Sequence, residues 1–272
     1  NTNSLANKKG EMPVLKPGGP GILGCFGRHP TIKGHFGLTQ EILQNSSLNL
    51  SESIIESIAR ASRLPDVLYF TDLRYHAQSK ACGKEQDYLP INPDIDKSKF
   101  QTLLHKKISV AKTSLNDDYI KNAPERFAKD FCYYFGFVMH LVQDLACHQG
   151  MTNPEHAYLD KQKDNKGESL SPDADIHRYS LAKEATIFTI DHHFREQVSK
   201  KSQQLNDFAK ESKITWSKFD KLKRALDLIS GPIDFHFNAL ERRTPAHQSR
   251  WFNWNARKIE QSLENMKPII VG

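Results

Sequence analysis

The residues best suited to chemistry lie in one stretch, PERFAKDFCYYFGFVMHLVQDLACHQGMTNPEHAYLD, from Pro124 to Asp160. His140 and Asp144 are four apart and share one helical face. His148 follows, offset by roughly 80° at about 100° per residue. His156 and Asp160 repeat the four-residue spacing, and Glu155 sits just before them. Imidazole and carboxylate are zinc ligands, and i, i+4 spacing lets two side chains of one helix reach a single ion. One His-Asp pair alone would read as a helix-surface contact worth a few tenths of a kcal/mol. Two pairs, with His148 and Glu155 between them, point to metal. Burying such a polar set in an apolar helix is costly unless it is paired or bound.

A helix must carry the first pair. Phe127, Phe131, Tyr134, Phe135, Val138, Leu141 and Leu145 recur at helical spacing and would bury most of its circumference. Gly150 is expected to stop it. Asn153 is expected to cap a second helix opened by Pro154, and that helix would carry Glu155, His156 and Asp160.

A site for several ions needs further ligands. Candidates are His35 at the start of a short helix, His29 six residues earlier, Asp66 after Pro65 at a helix end, and His76 ten residues later. His177, Asp191, His192 and His193 suit surface positions or support of a ligand better than ligation, since adjacent histidines face different sides of a helix. Asp173 and Asp175 fall in a polar loop and are expected to be solvated.

The remaining elements are read from periodicity and breakers. Residues 1–24 are rich in Gly and Pro and form an irregular segment; residues 25–272 form one α-helical domain. LSESIIESIARASR is an amphipathic helix with a Ser cap, ended by Leu64-Pro65. Residues 83–97 read as a polar loop and 98–122 as helical in part. Residues 160–175 read as a mobile polar loop with no apolar anchor. One longer helix runs from Ile176 to about Lys201 with Ile187, Ile190 and Phe194 on one face, and others cover 217–230 and 248–266. Strand patterns are few, so the fold class is all-α.

The 272 residues carry a formal charge of +6, a mild excess that fits a lysine-rich solvated face. No apolar run reaches the roughly 18–20 residues of a membrane span, and the first residues have no signal-peptide core. The four cysteines contain no C-x-x-C pair. Cys132 and Cys147 would stand about 22 Å apart on one helix and cannot bridge; Cys25 with Cys82 is one pairing, and four free thiols the other reading. Trp216, Trp251 and Trp254 suit core or interfacial anchors. The basic stretches near 197–224 lack the interleaved aromatics that stack bases, so nucleic acid is not an expected partner. There is no G-x-S-x-G elbow, phosphate-cradling glycine loop or H-E-x-x-H.

The order of these residues resembles the zinc-dependent phospholipase C and single-strand nuclease superfamily. Its pattern is a His opening the first helix, a Pro-Asp segment, a His about ten residues on, H-x-x-x-D, a further His, and a closing H-x-x-x-E or H-x-x-x-D. The matching residues are His35 in GHFGLT, Asp66 in LPD, His76 in RYHAQ, His140 with Asp144, His148, and His156 with Asp160. HQGMTNPEH is similar to a bacterial branch of exported zinc metallophospholipases that hydrolyse phosphatidylcholine. The likeness covers about residues 22–160.

The resemblance implies a multi-helix phospholipase C/nuclease-like bundle around a buried site of two or three zinc ions. Its metal ligands would be His35, Asp66, His76, His140, Asp144, His148, His156 and Asp160. It implies hydrolysis of phosphatidylcholine to diacylglycerol and phosphocholine by a metal-bound hydroxide. Asp66 would serve as ligand or base, and Glu155, inside the motif, could replace an expected residue. The gap from Asp144 to His148 is shorter than the family's. Asn1 stands where the family places a zinc-binding Trp, so either another group serves there or fewer ions bind. A secreted or periplasmic enzyme touching membranes transiently would follow. The alternatives are a nuclease or nucleotidase on the same scaffold, or a helical binding module that metal only staples.

Overall fold

The computed structural model describes residues 32–69, 72–78, 93–148, 163–211 and 262–272. These are mostly helical, and among them there is no strand, only an isolated bridge between Lys163 and Ser169. The architecture is all-α. None of the described helices is long and apolar enough to cross a membrane.

Among the described residues the helices are α1 (His35–Gln44), α2 (Glu52–Ala61), α3 (Leu64–Leu68), α4 (Pro93–Thr113), α5 (Asp117–Asn122), α6 (Phe127–His148), α7 (Ile176–His193), α8 (Arg195–Glu211) and α9 (Leu263–Val271). Two 3₁₀ turns, Leu73–His76 and Pro172–Ala174, add to these. The axis of the fold is α6, packed against α2, α4 and α7. Every residue of α6 from Phe135 to His148 is buried, as a helix apolar on all sides requires. Its polar residues there, His140, Gln143, Asp144 and His148, fall on one stripe at i, i+3, i+4 and i+8.

Gly136 fixes how closely α2 approaches. A Cβ at that position would lie 2.5 Å from Ala61 Cβ and 2.7 Å from the Ile58 carbonyl oxygen. With no side chain there, the end of α2 rests on α6 one turn before His140. Phe137 meets the rings of Tyr69 and Tyr75 edge-on at 6.0 Å, and those two stack at 4.0 Å. This aromatic trio ties the His76 turn to α6, and Lys107 of α4 lies 5.0–5.5 Å from the Tyr75, Tyr134 and Phe137 rings. α9 is held by His105 and His193, whose Nε2 groups donate to the Ile269 and Ile270 carbonyls at 3.1 and 2.8 Å. Those carbonyls end a helix and need outside donors.

Several expectations change. Leu64-Pro65 does not simply end α2, which stops at Ala61; it opens α3, where a proline in the first turn forfeits no helical hydrogen bond. Helix α4 begins at Pro93, inside the segment read as loop, for the same reason. The long helix expected from Ile176 is broken at Phe194 (φ −124°), which turns inward and is buried. Ile187, placed on the same face as Ile190 and Phe194, is 40% exposed, whereas those two are buried. The helix expected through Met266 cannot run unbroken, because Ser262 is extended and caps α9 by accepting from the Asn265 amide. The segment 163–175 is not an unanchored polar loop, since Ser171, Pro172 and Asp173 are buried. The stretches 1–31, 79–92, 149–162 and 212–261 lie outside the described residues, with Cys25, Cys82, Trp216, Trp251 and Trp254. Cys132 and Cys147 are buried and not bridged to each other, as their spacing on one helix demands.

Candidate metal centre

Four elements bring their side chains to one point. α6 supplies His140 and Asp144, α1 supplies its first residue His35, α3 supplies Asp66 from its first turn, and the 3₁₀ turn supplies His76. One ligand atom from each of His35, Asp66, His140 and Asp144 falls within 4.8 Å of all the others. All four residues are buried, and so is His76. Asp144 Oδ1 stands 3.2 Å from His35 Nε2, while Asp144 Oδ2 stands 3.2 Å from His140 Nε2 and 3.1 Å from His76 Nδ1. Asp66 faces the same three rings at 3.9 Å (His35), 3.7 Å (His76) and 4.0 Å (His140). Two ligands at about 2.0–2.1 Å from a tetrahedral zinc stand about 3.3 Å apart, close to the shorter spacings.

The outer face of each ring decides what the inner face offers. His140 Nδ1 donates to the Ser62 carbonyl at 3.0 Å, at the end of α2 that Gly136 admits. His76 Nε2 donates to the Tyr69 carbonyl at 3.2 Å. His35 Nδ1 donates to Gln143 Oε1 at 2.7 Å, and the Gln143 amide donates to Thr39 Oγ1 at 3.0 Å. A carbonyl only accepts, so the outer nitrogen carries a hydrogen and, in the neutral ring, the inner nitrogen offers a lone pair toward the carboxylates. Lone pairs facing carboxylate oxygens repel unless a cation lies between them. Asp66 Oδ1, His140 Nε2 and Asp144 Oδ1 are buried without a hydrogen-bond partner, which costs about 1–3 kcal/mol each when nothing satisfies them. The donor set fits a metal ion.

The electrostatics agree. Burial works to depress His35, but the Asp144 carboxylate beside it prevails and pushes the imidazole up to about 9. Burial likewise opposes His76, and its contact with Asp144 raises it. His140 is lowered, by burial first and by repulsion from His35. Asp66 is raised by burial, against the pull of His140, His35 and His76. Burial would raise Asp144 too, yet His140, His148 and His35 hold it well below the ordinary range. Without an ion, protons supply the positive charge that two buried carboxylates require.

The structure therefore brings together His35, Asp66, His76, His140 and Asp144. His148 stands beside them, its Nδ1 3.7 Å from Asp144 Oδ2 and donating to the His76 carbonyl at 3.0 Å. Its Nε2 faces Asp173 Oδ1 at 3.2 Å. His29, Glu155, His156 and Asp160 lie outside the described residues. His177, Asp191 and His192 are exposed, and His193 serves α9. Asp173 corrects an expectation: it is 3% exposed rather than solvated. The Ser171-Pro172 pair ahead of it was the overlooked signal, because Ser171 caps a turn by accepting from the Asp173 amide. Asp175 is no loose loop residue either, since it caps α7 by accepting from the His177 and Arg178 amides. Gln143 was also missed, although an amide inside so apolar a helix must find a partner.

Comparison with protein families, with characterised proteins and with solved structures yields no match. What stands is a buried His35/Asp66/His140/Asp144 cluster that can hold a metal ion.

Proposed function

We propose that the chain is a zinc-dependent phosphodiester hydrolase of the phospholipase C type, cleaving phosphatidylcholine to diacylglycerol and phosphocholine. The observation that carries the reading is the division of Asp144, whose Oδ1 faces His35 while Oδ2 faces His76 and His140. A carboxylate split in this way suits more than one ion, in keeping with the two or three that the resemblance implies. Imidazole and carboxylate donors favour zinc. Zinc supplies Lewis acidity toward a phosphoryl oxygen and lowers the pKa of water. Asp66 is the more open carboxylate, 8% exposed against 0% for Asp144. Asp66 Oδ1 is the acceptor for the proton of the attacking water. His35, Asp66, His76, His140, Asp144 and His148 follow the family's order, which supports the multi-helix phospholipase C scaffold and, with it, an exported enzyme working at a membrane surface.

The test is metal content of the purified chain, with hydrolysis of phosphatidylcholine and of single-stranded DNA followed before and after chelation. Bound zinc and chelator-sensitive release of phosphocholine support the reading. DNA cleavage without phosphocholine moves the activity to the nuclease branch. Metal whose removal only unfolds an inactive chain makes it a staple, and absence of stoichiometric metal overturns the reading.

A further inference from the structure

Helix α4 turns Phe100, Leu104, Ile108 and Ala111 inward, at i, i+4, i+8 and i+11, and buries them where it packs on α6. Its other side is basic. From Ser98 to Thr113 it holds Lys99, His105, Lys106, Lys107 and Lys112 and no acid. The two acids of α4, Asp94 and Asp96, stand in its first turn, where the helix dipole favours them. Lys99, Lys106 and Lys112 are exposed, and Lys107 is half-buried. Among the described residues no carboxylate pairs with Lys106, Lys107 or Lys112. Three acids on neighbouring elements belong to other cations, Asp72 to Arg74, Asp117 to Lys201 and Glu264 to Lys267. Helix α8 shows the contrasting solvated face, with Lys200 beside Glu196 and Lys210 beside Asp207. A helix face of one sign attracts a surface of the other.

The rim of this face is aromatic. The Lys107 ammonium lies 5.0–5.5 Å from the Tyr75, Tyr134 and Phe137 rings, and Tyr69, Tyr133 and Tyr134 are half-buried. Tyr69 packs on Tyr75 at 4.0 Å, and Tyr133 on Phe137 at 4.6 Å and on Tyr134 at 5.1 Å. Rings spent on one another are not the open platforms on which bases stack. Tyrosine and lysine side by side suit the headgroup layer of a bilayer, where their apolar bodies sink in and their polar tips stay wet. Tyr75 is followed by His76, so the face borders the metal centre. We propose that the solvent face of α4, from Lys99 to Lys112, docks the protein on an anionic lipid surface. The choice of lipid over other polyanions rests on the phospholipase reading. The lysines meet lipid phosphates, and docking holds the metal centre close to the bilayer.

The full chain is titrated with vesicles of phosphatidylcholine alone and of phosphatidylcholine mixed equally with phosphatidylglycerol, and bound protein is read by sedimentation. The wild type is expected to prefer the anionic vesicles and to lose that preference as salt rises. A lysine at an anionic bilayer is worth about fivefold in binding, so the double variant Lys106→Gln/Lys112→Gln should bind about 25-fold more weakly. Lys200→Gln/Lys210→Gln on α8, which removes as much charge, should change binding little. Circular dichroism confirms each fold, and the salt dependence of the wild type serves if a variant fails to fold. Equal binding to both vesicles, or equal losses in the two double variants, overturns the proposal. So does single-stranded DNA bound through Lys106 and Lys112 more tightly than vesicles, which assigns the face to nucleic acid. Phosphocholine release without anionic preference sinks this proposal and leaves the phospholipase reading. Anionic binding through α4 without phosphocholine release does the reverse.

Discussion

His35 and Gln143, 108 residues apart in sequence, are joined by a 2.7 Å hydrogen bond from the imidazole Nδ1 to the amide oxygen. The bond aims His35 Nε2 at Asp144 and ties the first turn of α1 to the central helix. Gln143→Leu keeps the side chain's bulk and removes the acceptor. Partners of this kind, standing behind a metal ligand, typically contribute about 10–100-fold in metal affinity. Gln143→Leu is therefore expected to weaken zinc binding within that range in competition with a chromogenic chelator. Unchanged affinity would mean that His35 needs no support from Gln143.

Asp144 is the carboxylate most closely ringed by imidazoles, since His35, His76, His140 and His148 all stand within 4.0 Å of it. Asp144→Asn should abolish stoichiometric binding at the four-residue cluster and with it all turnover. The metal-free protein should also lose stability, by about 3–5 kcal/mol, because a buried His35 charge would lose its partner. Urea unfolding of the chelated wild type and variant measures this, and coincident curves would remove Asp144 from the electrostatic role given to it here.

Metal should stabilise the fold by mass action. Free zinc at a hundred times its dissociation constant adds about 2.7 kcal/mol if the unfolded chain does not bind it. The thermal midpoint should therefore rise with zinc and fall with chelator. The same titration on Asp144→Asn should give a smaller rise, because the ion held by the four-residue cluster no longer contributes.

The sequence displays α6 and the His140/Asp144 pair openly, because both depend on periodicity within one element. His35, Asp66 and His76 are separated from that pair by 64 to 105 positions of chain. Spacing alone could not join them, and only their order pointed to a shared site. What brings them in is tertiary: the gap left by Gly136, the Tyr69–Tyr75–Phe137 packing and the Ser62 and Tyr69 carbonyls. Asp173 escaped because a carboxylate in a polar run resembles a solvated one until the turn around it is seen. The break at Phe194 escaped for a related reason, since burial of that ring against Phe135 at 4.6 Å outweighs continuation of a helical pattern.

Gly136 provides a test of that tertiary account. In Gly136→Ala the new methyl would meet the Ile58 carbonyl oxygen at 2.7 Å and Ala61 Cβ at 2.5 Å, backbone and a short side chain with little freedom to yield. Overpacking of this kind costs about 1–3 kcal/mol. The displacement of α2 would also draw the Ser62 carbonyl from His140 Nδ1. Loss of stability and weaker zinc binding should therefore appear together, although residue 136 touches no ligand. A destabilised variant with wild-type metal affinity would show that His140 does not depend on the close approach of α2.

Away from the centre, Glu41 joins α1 to α7 through Lys183 at 2.7 Å and also meets Lys33 at 2.6 Å. The Lys183 and Lys33 hydrogen bonds hold its carboxyl below the ordinary glutamate value. A carboxyl depressed on folding adds stability above its unfolded pKa, and that stability disappears as pH falls through the folded one. Glu41→Gln should thus be less stable than wild type at pH 7, and the difference should close below about pH 4. The ion pairs are solvent-accessible, so the neutral-pH difference should be at most about 1 kcal/mol and should shrink as salt is added. Denaturant midpoints of both proteins from pH 7 to 3 measure it, and a gap that widens toward acid would contradict the sign.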